Sequence, residues 1–131
     1  MTTKKIAKSK RARKSGQGSK WIRKDKRLAI YLRDGMACAY CGAGAEDKKP
    51  LSLDHLIANA HGGSNMESNL ITCCLDCNGA KRTHSLETWL IMKLGDDAAA
   101  TARFIVEKTA MDLKPFRIEA KAIIARRKAT K

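Results

Sequence analysis

Long apolar runs are missing from this 131-residue sequence, and aromatic side chains are scarce in it. The longest apolar segments, 28–32 and 89–92, are far shorter than the roughly 20 residues of a membrane-spanning helix, which excludes a membrane span. Aromatic residues make up 5% of the chain and are not interleaved with its basic runs, so a stacking surface for single-stranded nucleic acid is poorly supported. Hydrophobic residues still make up 44%, which fits one small globular domain.

The sequence also lacks an apolar signal core behind its basic N-terminus, and its cysteine count is odd. Without such a core we expect a cytoplasmic protein, whose cysteines stay in a reducing compartment. Five cysteines fit poorly with a closed set of disulfide pairs. These features argue against a disulfide-stabilised secreted domain.

Acidic residues are few, and the charges are unevenly placed. The chain carries 27 Lys and Arg against 13 Asp and Glu, a formal charge of +14. Residues 1–27 hold twelve basic and one acidic residue, residues 114–131 hold seven and one, and residues 28–113 hold eight and eleven. The two ends are therefore strongly basic, whereas the middle is slightly acidic. Such ends are typical of a protein that binds a phosphate backbone, or of a solubilising or targeting tail.

Patterns along the chain predict an α+β fold in three parts. Residues 1–20 are rich in Lys, Arg, Ser and Gly and are predicted to form a flexible basic arm. Residues 21–95 contain a first helix near 22–33. The same part contains two antiparallel strands joined by a long loop, at 51–57 and 69–73. Residues 96–131 are predicted to form a helical C-terminal extension with a basic end.

Two cysteine pairs provide the strongest signal in the sequence. Two residues separate Cys38 from Cys41, and two separate Cys74 from Cys77. This spacing lets both sulfurs of a pair reach one ion at about 2.3 Å, with backbone amides of the turn directed at the thiolates. We therefore predict one structural Zn²⁺ held by four thiolates, which leave no open coordination position. Cys73 could replace Cys74 as a ligand, but the spacing favours Cys74 and leaves Cys73 in the strand.

Around these pairs the sequence resembles the HNH endonuclease family over about residues 27–88. The matching elements are Arg33-Asp34-Gly35, the first cysteine pair, Asp54-His55, Gly62-Gly63, Asn69-Leu70, the second cysteine pair with Asn78 directly after it, and Lys81. The resemblance implies a ββα-metal core, also called a His-Me finger, in which two strands and a helix hold one divalent ion against the scissile phosphate. Residues 21–95 would then be the nuclease domain.

The resemblance also implies a role for four residues. His55 matches the general base that takes a proton from the attacking water, and Asp54 matches a ligand of the catalytic ion. Asn69 matches the central Asn, whose amide ties the loop beside the base to the second strand. Asn78 matches the third position, where His or Asn is the second metal ligand, so the chain is an H-N-N variant. Carboxylate and amide oxygens suit Mg²⁺, or Mn²⁺ in its place.

The residue types agree with phosphodiester hydrolysis. A histidine with an ordinary pKa of about 6.5 can accept a proton from water and release it afterwards, and a divalent ion can act as a Lewis acid. Asn78 is expected at the start of the helix after the second cysteine pair, where free backbone amides would face the phosphate. Lys81 or Arg82, one turn later, is predicted to contact a flanking phosphate. His61 and His84 match no core position of the family, and their roles stay open.

The adjacent positions of Asp54 and His55 create a geometric conflict. In a regular strand these side chains point to opposite faces, yet both have to approach one ion. We therefore expect the strand to end, bend or bulge at this pair. The loop 58–68, which contains Gly62-Gly63, gives the chain the freedom to do so.

The prediction is a metal-dependent DNA endonuclease of low sequence specificity, a nickase or a double-strand cutter. Its setting would be a bacterial or phage-infected cell, and the sequence leaves open whether it serves phage packaging, restriction, a mobile element or repair. The alternative is a non-catalytic, zinc-stabilised nucleic-acid-binding protein, which needs no carboxylate beside a phosphate. DNA is the expected partner. A homodimer or a targeting protein is a further one, because a single centre of this type cuts one strand at a time.

Overall fold

The computed structural model describes residues 22–44 and 47–129, which form an α+β fold, as predicted. Within this part the elements are α1 Lys24–Arg33, β1 Leu51–His55, β2 Leu70–Cys74, α2 Leu75–Lys81, α3 Leu86–Leu94, α4 Ala98–Thr109 and α5 Lys114–Ala129. Short 3₁₀ turns occur at Asn59–His61, Glu67–Asn69 and Gly95–Asp97. The basic arm predicted for residues 1–20 lies outside the described residues.

Local sequence sets the ends of several helices. Ser85 caps α3, because its hydroxyl accepts a hydrogen bond from the Thr88 amide at 3.1 Å. Gly95 follows the same helix with a positive φ of 54°, a conformation that glycine adopts without a steric penalty. Gly35 does the same after α1, with a φ of 85°. Both helices therefore stop where glycine lets the chain turn.

The sheet consists of β1 and β2, which pair antiparallel without a bulge. The paired residues are Leu51 with Cys74, Ser52 with Cys73, Leu53 with Thr72, Asp54 with Ile71 and His55 with Leu70. Successive side chains point to opposite faces, so Leu53 packs towards α1 and α5, whereas Asp54 lies on the side of the cysteine pairs. The helix α2 follows β2 directly and packs on both strands, which completes a ββα unit.

A buried ion pair at the end of α1 fixes this helix against β2. The Arg33 guanidinium binds the Asp34 carboxylate at 2.7 Å and donates to the backbone oxygens of Glu67 and Leu70. Asp34 in turn accepts the amide hydrogen of Thr72 at 2.9 Å. Both side chains are almost completely buried, so each charge depends on these partners. The Arg33-Asp34 element noted in the sequence therefore joins the first helix to the sheet.

Two apolar clusters pack against the sheet. The knuckle core surrounds the cysteine pairs and consists of Cys38, Tyr40, Ile71, Cys73, Cys74, Cys77, Trp89, Leu90 and Ile105. The helix core lies between the sheet and the helices α1 and α5 and consists of Ile22, Leu28, Ala29, Ile30, Leu53, Leu70, Leu113 and Ala120. Each core thus draws on elements that are distant in the sequence.

The described part of 96–131 packs on both cores rather than apart from them. Ile105 of α4 belongs to the knuckle core, and Ala120 of α5 belongs to the helix core. The predicted division of the chain at residue 95 therefore stays a prediction. Among the described residues, no helix combines the length and the hydropathy needed to cross a membrane.

Candidate functional site

Four cysteine side chains converge where the two CxxC turns meet. The sulfur atoms of Cys38, Cys41, Cys74 and Cys77 all lie within 4.8 Å of one another. The Sγ atoms of Cys41 and Cys74 are 3.8 Å apart. A tetrahedral site with metal–sulfur distances of about 2.3 Å has edges of about 3.8 Å, so this group can hold one metal ion.

Backbone amides of both turns are directed at these sulfurs. The Tyr40 and Cys41 amides donate to Sγ of Cys38 at 3.3 and 3.4 Å, and the Cys77 amide donates to Sγ of Cys74 at 3.4 Å. Such hydrogen bonds favour the thiolate form. Burial raises the pKa of the Cys38 and Cys77 thiols, and a cation at the centre of the group would favour their thiolate forms.

Cys73 lies outside this group although it directly precedes Cys74. Its side chain is fully buried in the knuckle core, and burial raises the pKa of its thiol well above the ordinary value. Neighbouring residues of a strand point to opposite faces, so only one of the two can join the group. The structure places Cys74 there, which is the residue that the CxxC spacing favours.

A cavity of about 430 Å³ opens beside the end of β1. Its lining residues are Leu53, Asp54, His55, Ala58, Ala60, Asn78, Arg82 and Thr83. Asp54, His55 and Asn78, which the sequence predicted as catalytic residues, thus share one space. The register of β1 contains no bulge, and the strand ends at His55. The strand was expected to end, bend or bulge at Asp54 and His55, and in the structure it ends there.

Asp54 is 5% exposed and is held by two hydrogen-bond donors. The Tyr40 hydroxyl donates to Oδ2 at 2.5 Å, and the Lys81 ammonium lies 3.2 Å from Oδ2 and 3.5 Å from Oδ1. Burial raises the pKa of the Asp54 carboxyl, whereas the Tyr40 hydrogen bond and the Lys81 charge oppose that rise. The shorter contacts meet at Oδ2, so Oδ1 is the less engaged oxygen.

His55 is also 5% exposed, and its ring is oriented by a loop residue. Nε2 lies 2.8 Å from Oδ1 of Asn65. With this oxygen as the acceptor, Nε2 carries the hydrogen and Nδ1 carries the lone pair that a general base requires. Asn65 thereby selects the tautomer of the histidine.

Asn78 lies in the middle of α2 rather than at its start, because the second cysteine pair already forms the first turn of this helix, which begins at Leu75. The expectation that free amides beside Asn78 face a phosphate is therefore wrong, since the first-turn amide of Cys77 is directed at a thiol sulfur. The Asn78 side chain donates through Nδ2 to Ser52 Oγ at 3.1 Å and to the Leu53 oxygen at 3.3 Å. Its Oδ1 is then the atom that a cation would use.

Asn69 fastens the loop that follows β1 and does not line the cavity. Its Oδ1 accepts the Ile57 amide hydrogen at 2.8 Å, and its Nδ2 donates to the Ile57 and Ser64 oxygens at 3.1 and 2.8 Å. Gly63 is required beside it, because a Cβ at this position would lie 1.6 Å from the Ile57 oxygen. The geometry agrees with the supporting role that the family resemblance implies for Asn69.

Lys81 is fully buried, so the predicted phosphate contact of this residue is wrong. Its ammonium binds Asp54 and also donates to the His55 backbone oxygen at 3.2 Å. Arg82, in contrast, is exposed and lines the cavity. Its φ of 54° and ψ of −128° lie in a region that residues with a Cβ rarely adopt. Strained backbone conformations of this kind are frequent at functional sites. Arg82 stays the candidate for a phosphate contact.

Two of the residues that shape the site were not found from the sequence. Tyr40 occupies a spacer position inside the first cysteine pair, and Asn65 lies in a loop without a periodic pattern. Their partners are 14 and 10 positions away, respectively, so no local signal marks either contact. His61 and His84 are exposed and outside the cavity lining.

Residues 38–94 match the family model described as HNH endonuclease. The match begins at the first cysteine of the metal-binding group, extends to the end of α3, and contains the whole ββα unit. Neither curated proteins nor solved structures give a match for this chain. The family match and the four-cysteine group confirm the resemblance found in the sequence, and residues 38–94 are similar to an HNH endonuclease domain.

Proposed function

We propose that this protein is a metal-dependent DNA endonuclease that hydrolyses phosphodiester bonds with His55 as the general base. The match of residues 38–94 to the HNH endonuclease model supports a nuclease. The observation that carries the finer proposal is the convergence of Asp54, His55 and Asn78 in one open cavity within the matched segment. A carboxylate, an imidazole and an amide oxygen in one cavity are the groups that single-metal hydrolysis of a phosphodiester requires.

The residues of the cavity fit a hard divalent ion. Asp54 offers a carboxylate oxygen and Asn78 an amide oxygen, and Mg²⁺ or Mn²⁺ prefers such ligands together with water. An ion held there would act as a Lewis acid on the phosphate and on the leaving oxygen. Because Asp54 lies on β1 and Asn78 on α2, the packing of the ββα unit sets the spacing of the two ligands.

His55 is proposed to take the proton from the attacking water. Its Nδ1 carries the lone pair, because the hydrogen on Nε2 is donated to Asn65. The ring is largely buried but lines the cavity, so water and phosphate reach it from that side. After cleavage the imidazolium can return its proton to the leaving oxygen.

The four-cysteine group is proposed to hold a structural Zn²⁺. An all-thiolate tetrahedral site favours zinc and leaves no position for a substrate. One cysteine pair precedes β1 and the other spans the end of β2 and the first turn of α2. The ion would therefore fasten the chain on both sides of the segment that carries the cavity.

Contacts with DNA are proposed for Arg82 and for the basic ends of the chain. Arg82 lines the cavity, and α5 carries exposed basic side chains such as Lys121 and Arg126. Phosphate contacts position a duplex without reading its sequence, so we expect low specificity unless a partner protein supplies the target. Cleavage of both strands would use a homodimer or two encounters.

The alternative is a zinc-stabilised nucleic-acid-binding protein without catalysis. An uncompensated Asp54 would repel a phosphate and so speak against such a protein. In the structure Lys81 compensates this charge, so Asp54 does not exclude the alternative. His55 is the discriminating residue, because a protein that only binds nucleic acid does not need an oriented imidazole in a cavity.

A plasmid-nicking assay tests the proposal. Supercoiled DNA is incubated with the zinc-loaded protein and Mg²⁺, Mn²⁺ or EDTA. We expect nicking with either ion and none with EDTA. Replacing His55 by Ala should lower the rate by about 10²- to 10⁴-fold, the usual contribution of a general base. His61→Ala is the matched control, since it removes an exposed histidine that does not line the cavity.

The content of zinc and the retention of DNA separate a catalytic defect from a folding defect. Both should be unchanged in His55→Ala. Nicking by His55→Ala at the rate of the His61→Ala control would overturn the endonuclease proposal and favour the binding protein.

A further inference from the structure

We infer that Tyr40 and Lys81 form a clamp that grips one oxygen of Asp54 and thereby presents the other to the cavity. The two cysteine pairs hold the clamp in place. The inference rests on the metal-dependent reaction proposed above. It makes Tyr40 and Lys81 positioning residues, which act through Asp54 and do not line the cavity.

The contacts of the Asp54 carboxylate are asymmetric. Oδ2 receives the Tyr40 hydroxyl at 2.5 Å and the Lys81 ammonium at 3.2 Å. Among the residues that the structure describes, Oδ1 has only the longer contact of 3.5 Å with the same ammonium. Hydrogen bonds to one part of a ligating side chain fix the orientation of the atom that binds the metal. Oδ1 is therefore the oxygen that the clamp leaves for a cation.

The first cysteine pair holds the tyrosine. Tyr40 lies between Cys38 and Cys41, and its amide donates to Sγ of Cys38 at 3.3 Å. Its ring is 2% exposed and stands edge-on to Trp89, with 5.6 Å between the ring centroids. Since both the backbone and the ring of Tyr40 are fixed, its hydroxyl reaches Oδ2 from a defined position.

The second cysteine pair holds the lysine. Cys77 and Lys81 lie one turn apart on α2, so a metal at the cysteine group also fixes the helix that carries Lys81. The Lys81 side chain is fully buried, and its ammonium bridges the carboxylate of Asp54 and the backbone oxygen of His55. A buried ammonium is unfavourable unless it is paired, and this one is paired at the two adjacent residues proposed for catalysis.

Binding of Mn²⁺ to the zinc-loaded chain without DNA provides the first test. Manganese favours oxygen ligands, so its binding is expected at the cavity and not at the thiolates. We expect Asp54→Asn to abolish this binding, which locates the signal. Tyr40→Phe removes only the hydroxyl and should weaken the affinity by about 10- to 100-fold, as for other partners of metal ligands.

The chain offers a matched control for the tyrosine. Tyr31→Phe also removes one hydroxyl, which donates to the Leu51 backbone oxygen at 3.2 Å at the opposite end of β1. This variant should bind Mn²⁺ like the wild type. Equal affinities of the two variants, with zinc content intact, would overturn the clamp.

The role of Lys81 is tested by whether Lys81→Met raises or lowers the affinity for Mn²⁺. If Lys81 merely competed with the metal for Asp54, Lys81→Met would bind Mn²⁺ more tightly than the wild type. A clamp predicts weaker binding, by about 10-fold or more. Tighter binding would therefore overturn the role of Lys81, and Tyr40→Phe decides the clamp on its own if Lys81→Met does not fold.

The clamp and the proposed function fail in different ways. If the wild-type protein binds Mn²⁺ and nicks DNA, and Tyr40→Phe leaves the Mn²⁺ affinity unchanged, only the clamp is refuted. A wild-type protein that binds no Mn²⁺ and nicks no DNA refutes the proposed function, and with it the role of the clamp.

Discussion

The knuckle core and the helix core stabilise the two sides of this small sheet in different ways. On the knuckle side, four thiols form a group able to bind a metal, and the buried carboxylate of Asp54 receives hydrogen bonds from Tyr40 and Lys81. On the helix side, apolar residues of α1 and α5 close on Leu53 and Leu70. Apolar burial is favourable by itself, whereas buried polar groups are tolerated only when each has its partner.

This difference indicates that one side of the sheet serves metal binding and the proposed reaction, whereas the other side serves the stability of the fold. The candidate catalytic groups occur where polar side chains are buried and where four cysteines can bind an ion. The helix core supports the opposite side of the same two strands with ordinary apolar packing. Disturbing one side should therefore affect the metal and the reaction, and disturbing the other should affect stability alone.

The largest effect is expected on the knuckle side. Cys74→Ser removes a proposed zinc ligand, and structural zinc contributes about 10–16 kcal/mol to small zinc-finger peptides, so most of the folded structure should be lost with the metal. Cys73→Ser is the control, because Cys73 lies next to Cys74 but outside the four-cysteine group. Elemental analysis and circular dichroism of both variants check this. If Cys73→Ser lost zinc and Cys74→Ser kept it, Cys73 rather than Cys74 would be the ligand.

A smaller effect is expected on the helix side. Leu113 is 3% exposed in the helix core, so Leu113→Ala should lower the free energy of unfolding by about 2–5 kcal/mol. Zinc content and the nicking rate of the folded protein should stay unchanged. Met111→Ala, at a position 37% exposed, should change the unfolding free energy by less than about 0.5 kcal/mol. Zinc release by folded Leu113→Ala would contradict the division of tasks between the two cores.

The smallest effect is expected at the ion pair between α1 and α5. The Arg117 side chain donates to Asp25 at 2.9 Å, and this hydrogen bond lowers the pKa of the Asp25 carboxyl below 3.8. A lowered carboxyl pKa stabilises the fold above pH 3.8, and this contribution is lost as the pH falls through the lowered value. Arg117→Met should therefore cost at most about 1 kcal/mol, because the pair is partly exposed.

Urea unfolding of wild type and Arg117→Met from pH 5 to 8 checks whether the substitution lowers the free energy of unfolding. The difference in unfolding free energy should be constant over that range, since Asp25 stays ionised throughout. A difference that changes between pH 6 and 8 would assign the contribution to another titrating group.

The sequence by itself determined the features that depend on short spacings. A CxxC turn directs two sulfurs at one ion whatever surrounds it, so the four-cysteine group was predicted with the correct choice of Cys74. The two strands and their antiparallel pairing followed from the alternating pattern, with ends that differ by one or two residues. Asp54 and His55 marked the candidate site because the motifs of a known family occur in the same order along this chain, and these two residues belong to one of the motifs.

Only the tertiary structure decided which side chains support the candidate site. Asn78 and Lys81 are three residues apart on α2 and therefore share a face of the helix, but the sequence does not tell that this face packs on the sheet. That packing buries Lys81 against Asp54 and leaves Arg82 at the cavity. The Tyr40 and Asn65 contacts likewise join residues 14 and 10 positions apart. Contacts of this kind depend on how elements pack, which no local pattern of residues encodes.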